Sequence, residues 1–444
     1  MKTDVLAVGF LLAISAQAQS AAGFFNPLSA SRDGIHLNSV SVYGGYFTGG
    51  IPFEVSTVNS FLRPGSTAVA GGAADVGWSR TRGGSSLWIS ESLSYMVYPE
   101  RLLMPNTHLT LNWNHKVGQK WSINMAGGAQ LMDLRQSYFT ANGLGVAASL
   151  PTTFDGLSAA ILKGTFTDSQ LASALTGSSA SLLPETAYLY GQHVGSVSAT
   201  FGVSYAASER SSFNFNVSAN RTQTLNVGES PKDNSQAVIP RTTSGNVSLG
   251  WGYSLSPRTQ IGLEAGTSRT FSRVQDGYVS NGAFSIGRTM TEHWFVQGTI
   301  GAGVLTYMRQ TPAPPSNVQY TAGGTIGYKL RSQTLLGSFN RSIGDSYGLG
   351  SASTNVATAG WNWSVPGSSW SVSATYNYQQ LNGSTLNGNE SWRAVGSIAR
   401  ALSRHIFASL QYTYFKVPPT FSLGNGTIDE QSGISMSLAW APSR

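Results

Sequence analysis

The 444-residue chain contains no cysteine, which excludes a disulfide scaffold, a thiolate metal site and cysteine nucleophile chemistry. Charge is scarce as well. Asp, Glu, Lys and Arg make up 11% of the chain, about half the share usual in soluble domains. Helices with charged solvent faces are hard to build from such a composition. Long apolar runs are also missing: nothing reaches the roughly 18 or more residues of a membrane-crossing helix. The six histidines, His36, His108, His115, His193, His293 and His405, never fall at metal-ligand spacing. No metal or cofactor is expected. The formal charge is +7, yet there is no arginine-rich segment or zinc-finger spacing, so nucleic acid is not an expected partner.

What the chain does have is glycine, at 51 positions, aromatics at 11%, and many Ser, Thr and Asn. The start, MKTDVLAVGFLLAISAQAQS, has the form of a secretory signal peptide. Lys2 precedes an apolar run from Val5 to Ala16, and Ala16-Gln17-Ala18 fits a small-residue cleavage site. The expected organisation is a signal peptide over 1–18, a periplasmic segment over 19–35 and one large unit over 36–444.

The stretch TTSGNVSLGWGYSLSPRTQIGLEAG carries the main structural signal. Val247, Leu249, Trp251, Tyr253 and Leu255 alternate with small polar residues. After SPRT the alternation resumes at Ile261, Leu263 and Ala265. Side chains alternate faces along a strand, so this is a hairpin with one apolar and one polar face. The pattern recurs to the end, where Ile434, Met436, Leu438 and Trp440 form the last strand. The connections are of two kinds. Tight ones (RTRGG, KVGQK, SERS, SPRT, TMTE, RSQ, PGSS, LSR) alternate with longer ones rich in turn formers. A sandwich has no reason to keep every second loop short, whereas an up-and-down membrane barrel does. The expected fold is therefore all-β: an antiparallel transmembrane barrel of about 18 strands, between 16 and 20, with both termini periplasmic. Its greasy face meets lipid.

The signal sequence, alternating strands, loop asymmetry and final GISMSLAW resemble the Gram-negative outer-membrane β-barrels. The resemblance is architectural, covers about 400 residues, and singles out no narrower family. It implies an outer-membrane location. It also implies that Ile434, Met436, Leu438 and Trp440 are read by the barrel-insertion machinery, although Ala441-Pro442-Ser443-Arg444 follow the aromatic. The lipid bilayer and that machinery are the expected partners.

Basic residues gather at the tight turns, among them Arg80, Arg82, Lys116, Lys120, Arg210, Arg258 and Arg404. Acids such as Asp133, Asp168, Asp276, Asp345 and Glu430 belong to the other side. This segregation is a solubility feature of the barrel ends, or a basic mouth that favours anions or an acidic partner. Mid-strand charges on the polar face are few. Glu264 is the clearest, with Arg393 and Asp75 nearer strand ends. Glu91 falls in phase with Leu87, Ile89, Leu93 and Tyr95, on the apolar face. Either a bulge turns it inward, which is the preferred reading, or a second protomer of a homo-oligomer covers it.

Residues 133–190 are far longer than an ordinary connection. Within them Leu157, Ile161 and Leu162, and then Leu171 and Leu175, fit helical spacing. They are candidates for a loop that folds over or into the barrel mouth and narrows it; the alternative is a mobile outer cap or a small strand extension above the membrane. No acid–histidine or Ser–His constellation stands out, so catalysis is not expected. The expected function is a porin-like channel for small hydrophilic solutes. The alternative is a barrel without transport, acting as partner or scaffold in polysaccharide export or envelope assembly.

Overall fold

The structure is a computed structural model that describes residues 33–48, 67–98, 101–102, 106–133, 193–225, 241–272, 276–308, 317–345, 351–364, 369–383, 389–416 and 430–442. Eighteen long strands follow one another. They are β1 (Gly34–Thr48), β2 (Thr67–Arg82), β3 (Ser85–Tyr98), β4 (Asn106–Val117), β5 (Trp121–Asp133), β6 (His193–Ala206), β7 (Ser211–Thr224), β8 (Arg241–Ser256), β9 (Thr259–Ser272), β10 (Asp276–Thr289), β11 (Trp294–Tyr307), β12 (Asn317–Leu330), β13 (Gln333–Asp345), β14 (Ser351–Ser364), β15 (Trp370–Gly383), β16 (Asn389–Ala401), β17 (Ile406–Lys416) and β18 (Glu430–Trp440). Arg101–Leu102 adds a two-residue piece that pairs with the end of β3.

Each strand pairs antiparallel with its sequence neighbours, and β18 pairs back onto β1 from Val40↔Trp440 to Thr48↔Ser432. The sheet is thereby closed. Every long strand has a partner on both sides, so along the paired stretches the backbone groups of the wall are satisfied within the wall. An even number of strands brings the start of β1 and the end of β18 to the same end, that of the tight turns.

One end carries the short connections, among them 83–84, 118–120, 207–210, 257–258, 331–332 and 402–405. Their sequences explain them. Gly83 and Gly84 have φ of 57° and 79°, the two left-handed residues of a type I′ hairpin. In SERS, the Ser208 hydroxyl accepts from the Ser211 and Arg210 amides at 3.0 and 3.2 Å. Ser403 does the same for Ile406 and His405. The other end holds the longer connections, with one exception. Between β9 and β10 only residues 273–275 intervene, so the alternation of short and long expected from the sequence fails there.

The two faces of the wall differ as the alternation requires. The apolar row is exposed: Leu249 is 59% accessible, Ile300 66% and Val197 60%. The polar row is crowded, with Ser41, Thr325 and Ser437 at 5% or less. Side chains splay on the convex side of a barrel and converge on the concave side. The apolar face is therefore outside and the polar face inside, the reverse of a soluble core.

Aromatic residues border the outer band. At the tight-turn end Trp121 packs on Tyr205 at 4.4 Å and Trp294 on Tyr328 at 4.2 Å, each a directly opposed pair. The indole N–H groups there find partners on the first residue of a neighbouring strand. Trp113 donates to Ser85, Trp251 to Ser211 and Trp361 to Gln333, at 2.9, 3.0 and 3.3 Å. The opposite rim is richer in tyrosine, with Trp392 between Tyr376 and Tyr414. Trp88 does not belong to the girdle; it stands opposite Ser79 and Asn112 on the inward row.

Glu91 corrects an expectation. It sits opposite Val76 and Leu109 in unbroken register, exposed on the outer face, the seventh residue of a 14-residue strand. The inward bulge is absent there. The bulge in this part of the wall lies in β1, between Leu37 and Ser39.

Two outcomes are expected. Replacing Gly83 and Gly84 together by alanine should cost about 2–4 kcal/mol in denaturant unfolding from vesicles, because left-handed φ penalises a Cβ by roughly 1–2 kcal/mol per residue. Gly298→Ala, whose Cβ would meet nothing within 4 Å, serves as the neutral comparison. Glu91→Leu should stabilise the vesicle-embedded barrel by on the order of 1–2 kcal/mol, since a carboxylate in the apolar band is costly. A destabilised Glu91→Leu protein would mean that the carboxylate meets a polar partner in the membrane.

Candidate functional site: the inner wall

The inward row is built from short polar side chains, many tied to one another across strands. Ser90 and Thr110 share a hydrogen bond of 2.8 Å, Ser373 and Ser397 one of 2.7 Å. Ser409 bonds Ser437, and the Gln411 amide donates to Thr413 at 2.8 Å. Hydroxyls bound along the wall leave it polar but short. A circular 18-strand wall with strands about 4.8 Å apart and tilted by about 40° is roughly 36 Å across between backbones, far more than Ser and Thr side chains fill.

Three of the larger inward residues lie against the wall rather than across the bore. Phe295, fully buried, covers Gly327 on the next strand, where a Cβ would fall 2.1 Å from its ring. Phe47 lies on Gly433 in the same way, and Tyr43 on Gly71, its hydroxyl donating to the Tyr95 carbonyl at 3.3 Å. Glycine is needed at these places for the close approach. At the long-loop end, Ile343 packs with Val279 and Leu305, two residues of the inward row. The end of β13 has parted from β12, whose pairing stops at Ala322↔Arg341, and leans over the inner face of β10 and β11. This narrows that mouth from one side.

The residues singled out from the sequence fall as follows. Asp75 stands on the inward row opposite Ser39 and Ser92, 8% exposed, accepting a 3.2 Å hydrogen bond from Asn38. The β1 bulge is what turns Asn38 toward it. Glu264 is opposite Gly250 and Ala283, and Arg393 opposite Asn377 and Phe415, both in the inward phase of their strands. The three are spread over β2, β9 and β16 and form no cluster. Leu157, Ile161, Leu171 and Leu175 lie outside the described residues, as do 1–18 and nearly all of 133–190. Ile434, Met436 and Trp440 are exposed on the outer face of β18, with Leu438 half-buried between them. Directly after Trp440, Ala441 is buried against Phe407, and its amide donates to the His405 carbonyl.

Sequence reasoning missed two features. One is a set of outward bases at the long-loop end, Arg221, Arg241, Arg269, Arg341 and Lys416, so the segregation of charge is incomplete. Their phase with the apolar row was the signal that could have found them. The other is an apolar hollow of about 780 Å³ bordered by Phe213, Phe215, Leu249, Trp251, Leu263 and Phe284. Most of its lining belongs to the outward row, with Asn214, Gly250, Glu264 and Ala283 of the inward row also bordering it, so the hollow opens on the lipid side. Among the described residues, no three His, Cys, Asp or Glu side chains come together as a metal site would require.

A closed 18-strand antiparallel barrel, apolar outside and polar inside, has the architecture of the outer-membrane β-barrels. Solved structures with a similar course include three porins of Pseudomonas. OpdK of Pseudomonas aeruginosa with vanillate is 10% identical, matched over 91% of this chain and 97% of its own, with a TM-score of 0.42. OccK2 (OpdF) of the same organism in complex with glucuronate is 7% identical over 93% and 100%, at 0.45. A BenF-like porin from Pseudomonas fluorescens Pf-5 is 8% identical over 93% and 99%, at 0.44. No family model and no curated protein matches the chain. At this level of likeness nothing about substrate or assembly carries over, and the fold stands on the strand pairing itself.

The glycine–aromatic contacts give a direct test. Gly327→Ala should destabilise the barrel by about 1–3 kcal/mol, because its Cβ overpacks against Phe295. Pairing it with Phe295→Leu should recover most of that loss in a double-mutant cycle.

Proposed function

We propose that the protein is a porin-like channel of the outer membrane, through which small hydrophilic solutes diffuse passively. The observation that carries this reading is the inner wall: a bore too wide for its own short, mostly uncharged side chains, with its large aromatics laid flat on glycines. Hydroxyl and amide groups give a solute exchangeable hydrogen bonds without a deep well, so passage does not require the release of a tightly held ligand. Few fixed charges face the bore, which suits uncharged or weakly charged solutes such as saccharides over strongly selected ions. The reading assigns no catalytic step. It takes the long connections as extracellular and both ends of the chain as periplasmic, with the signal peptide removed and Ile434, Met436, Leu438 and Trp440 serving insertion. The segment around Leu157, Ile161, Leu171 and Leu175 is assigned to the mouth as a constriction.

The test is single-channel recording in planar bilayers. The folded protein should give stable conductance steps. Glu264→Gln should shift the reversal potential toward anions and Arg393→Gln toward cations, each by a few millivolts under a salt gradient. Deleting 150–182 should raise the conductance while heat-modifiable gel mobility is retained. A well-folded barrel that never conducts would favour the scaffold role instead. Unchanged conductance in the deletion would remove the constriction.

A further inference from the structure

One sector of the outer face is unlike the rest. Arg221, Arg241 and Arg269 stand on β7, β8 and β9, three consecutive strands, at the long-loop end and in the outward phase. Arg221 is opposite Thr243, Arg241 opposite Gln223 and Arg269 opposite Gly245, so all three lie within a few residues of one level. All are exposed. Arg269 donates to Asp276 through Nε and Nη2 at 2.9 and 2.7 Å, and its guanidinium lies 5.0 Å from the centre of the Tyr278 ring. Among the described residues, one carboxylate thus faces three guanidinium groups. Elsewhere on this rim, described bases are matched with acids. Lys416 meets Glu430 at 3.6 Å. Arg341, stacked on Tyr320 at 4.2 Å, leads through Asn355 and Gln380 to Glu390 in a chain of hydrogen bonds.

The arginines stand where the apolar band ends. Ala219 and Gly245 stand level with Arg269, and below them Val217, Val247, Thr267 and Ser280 lead to Ala265 and Gly282, two small residues on the border of the apolar hollow at Leu249, Leu263 and Phe284. From Arg269 to Leu263 is six residues, roughly 20 Å of strand and about 15 Å of depth at a 40° tilt. That depth matches one leaflet, half of a hydrocarbon core about 30 Å thick.

We propose that this sector is a binding site for an anionic, phosphate-bearing membrane lipid. The guanidinium groups of Arg221, Arg241 and Arg269 hold the headgroup phosphate, and an acyl chain runs down the outer face past Val247 and Thr267 with its end in the hollow. Arginine suits this place because its planar fork pairs with phosphate oxygens in two-pronged fashion and its stem can lie along the apolar band. The Asp276 contact fixes Arg269 in an outward orientation and leaves Nη1 directed away from the carboxylate. The site is independent of transport through the bore.

The test is native mass spectrometry of the full-length barrel in a neutral detergent, with added phosphatidylglycerol or phosphatidylcholine. The expected result is one retained phosphatidylglycerol, preferred at least tenfold over phosphatidylcholine and not displaced by millimolar inorganic phosphate. Replacing Arg221, Arg241 and Arg269 together by glutamine should cut retention at least tenfold, and Arg341→Gln should not change it. Gly282→Leu narrows the entrance to the hollow with the arginines intact, and a Cβ there meets nothing closer than 3.8 Å. It should weaken retention as well, and it decides the matter if the triple variant does not fold. Equal retention of the two lipids, unchanged binding in the variants, displacement by inorganic phosphate, or occupation of this face by a second copy of the chain would overturn the proposal.

Discussion

Closure of the sheet is the constraint on which everything else depends. A strand inside a bilayer has no water to satisfy its amides, so each backbone group must find a partner in a neighbouring strand. The pairing of β1 with β18 meets that requirement for the first and last strands and makes the wall continuous. Because the wall is continuous, its two faces see different solvents along its whole circumference. The strict alternation of apolar and small polar residues follows from that. So does the low charge of the chain, since neither lipid nor a wall of interlinked hydroxyls accommodates many ions. Cross-strand aromatic pairs at the tight-turn end, each worth about 0.5–1.5 kcal/mol, add to the register that the tight turns set.

The same wall gives the bore its character. Glycines appear where an inward aromatic must lie flat, as Phe295 does on Gly327 and Phe47 on Gly433. Those contacts keep bulk at the wall and leave the centre to solvent and to whatever the connecting segments place there. The leaning end of β13 shows how the mouth is shaped without a helix: once pairing with β12 stops, the outward face of β13 is free to meet the inner face of β10 and β11 through Ile343. The arginine rim and apolar hollow on β7 to β10 are the outer counterpart, set by the same period-two rule on the other face.

Strand number, strand phase and the tight turns were legible in the sequence. A period of two over a dozen residues is a strong local signal, and Gly-Gly or Ser-centred turns define a hairpin without help from distant parts of the chain. The preference for a bulge at Glu91 was wrong for a physical reason. Bulges are decided by the register of both neighbouring strands, and the register on either side of Glu91 is unbroken, while the bulge lies in β1, where it brings Asn38 to Asp75. The three-residue connection between β9 and β10 was missed because strand ends there run on through polar residues that resemble loop.

The order of residues alone set the alternation, the tight turns on one side and the need to hide an apolar face from water. Those properties are local, written in neighbouring residues. Which strand closes on which, which residues across two or more strands share a level, and where outward bases collect are decided by pairing between segments far apart in the chain. Arg221, Arg241 and Arg269 span nearly fifty residues of sequence, and only the register of three strands brings them to one rim.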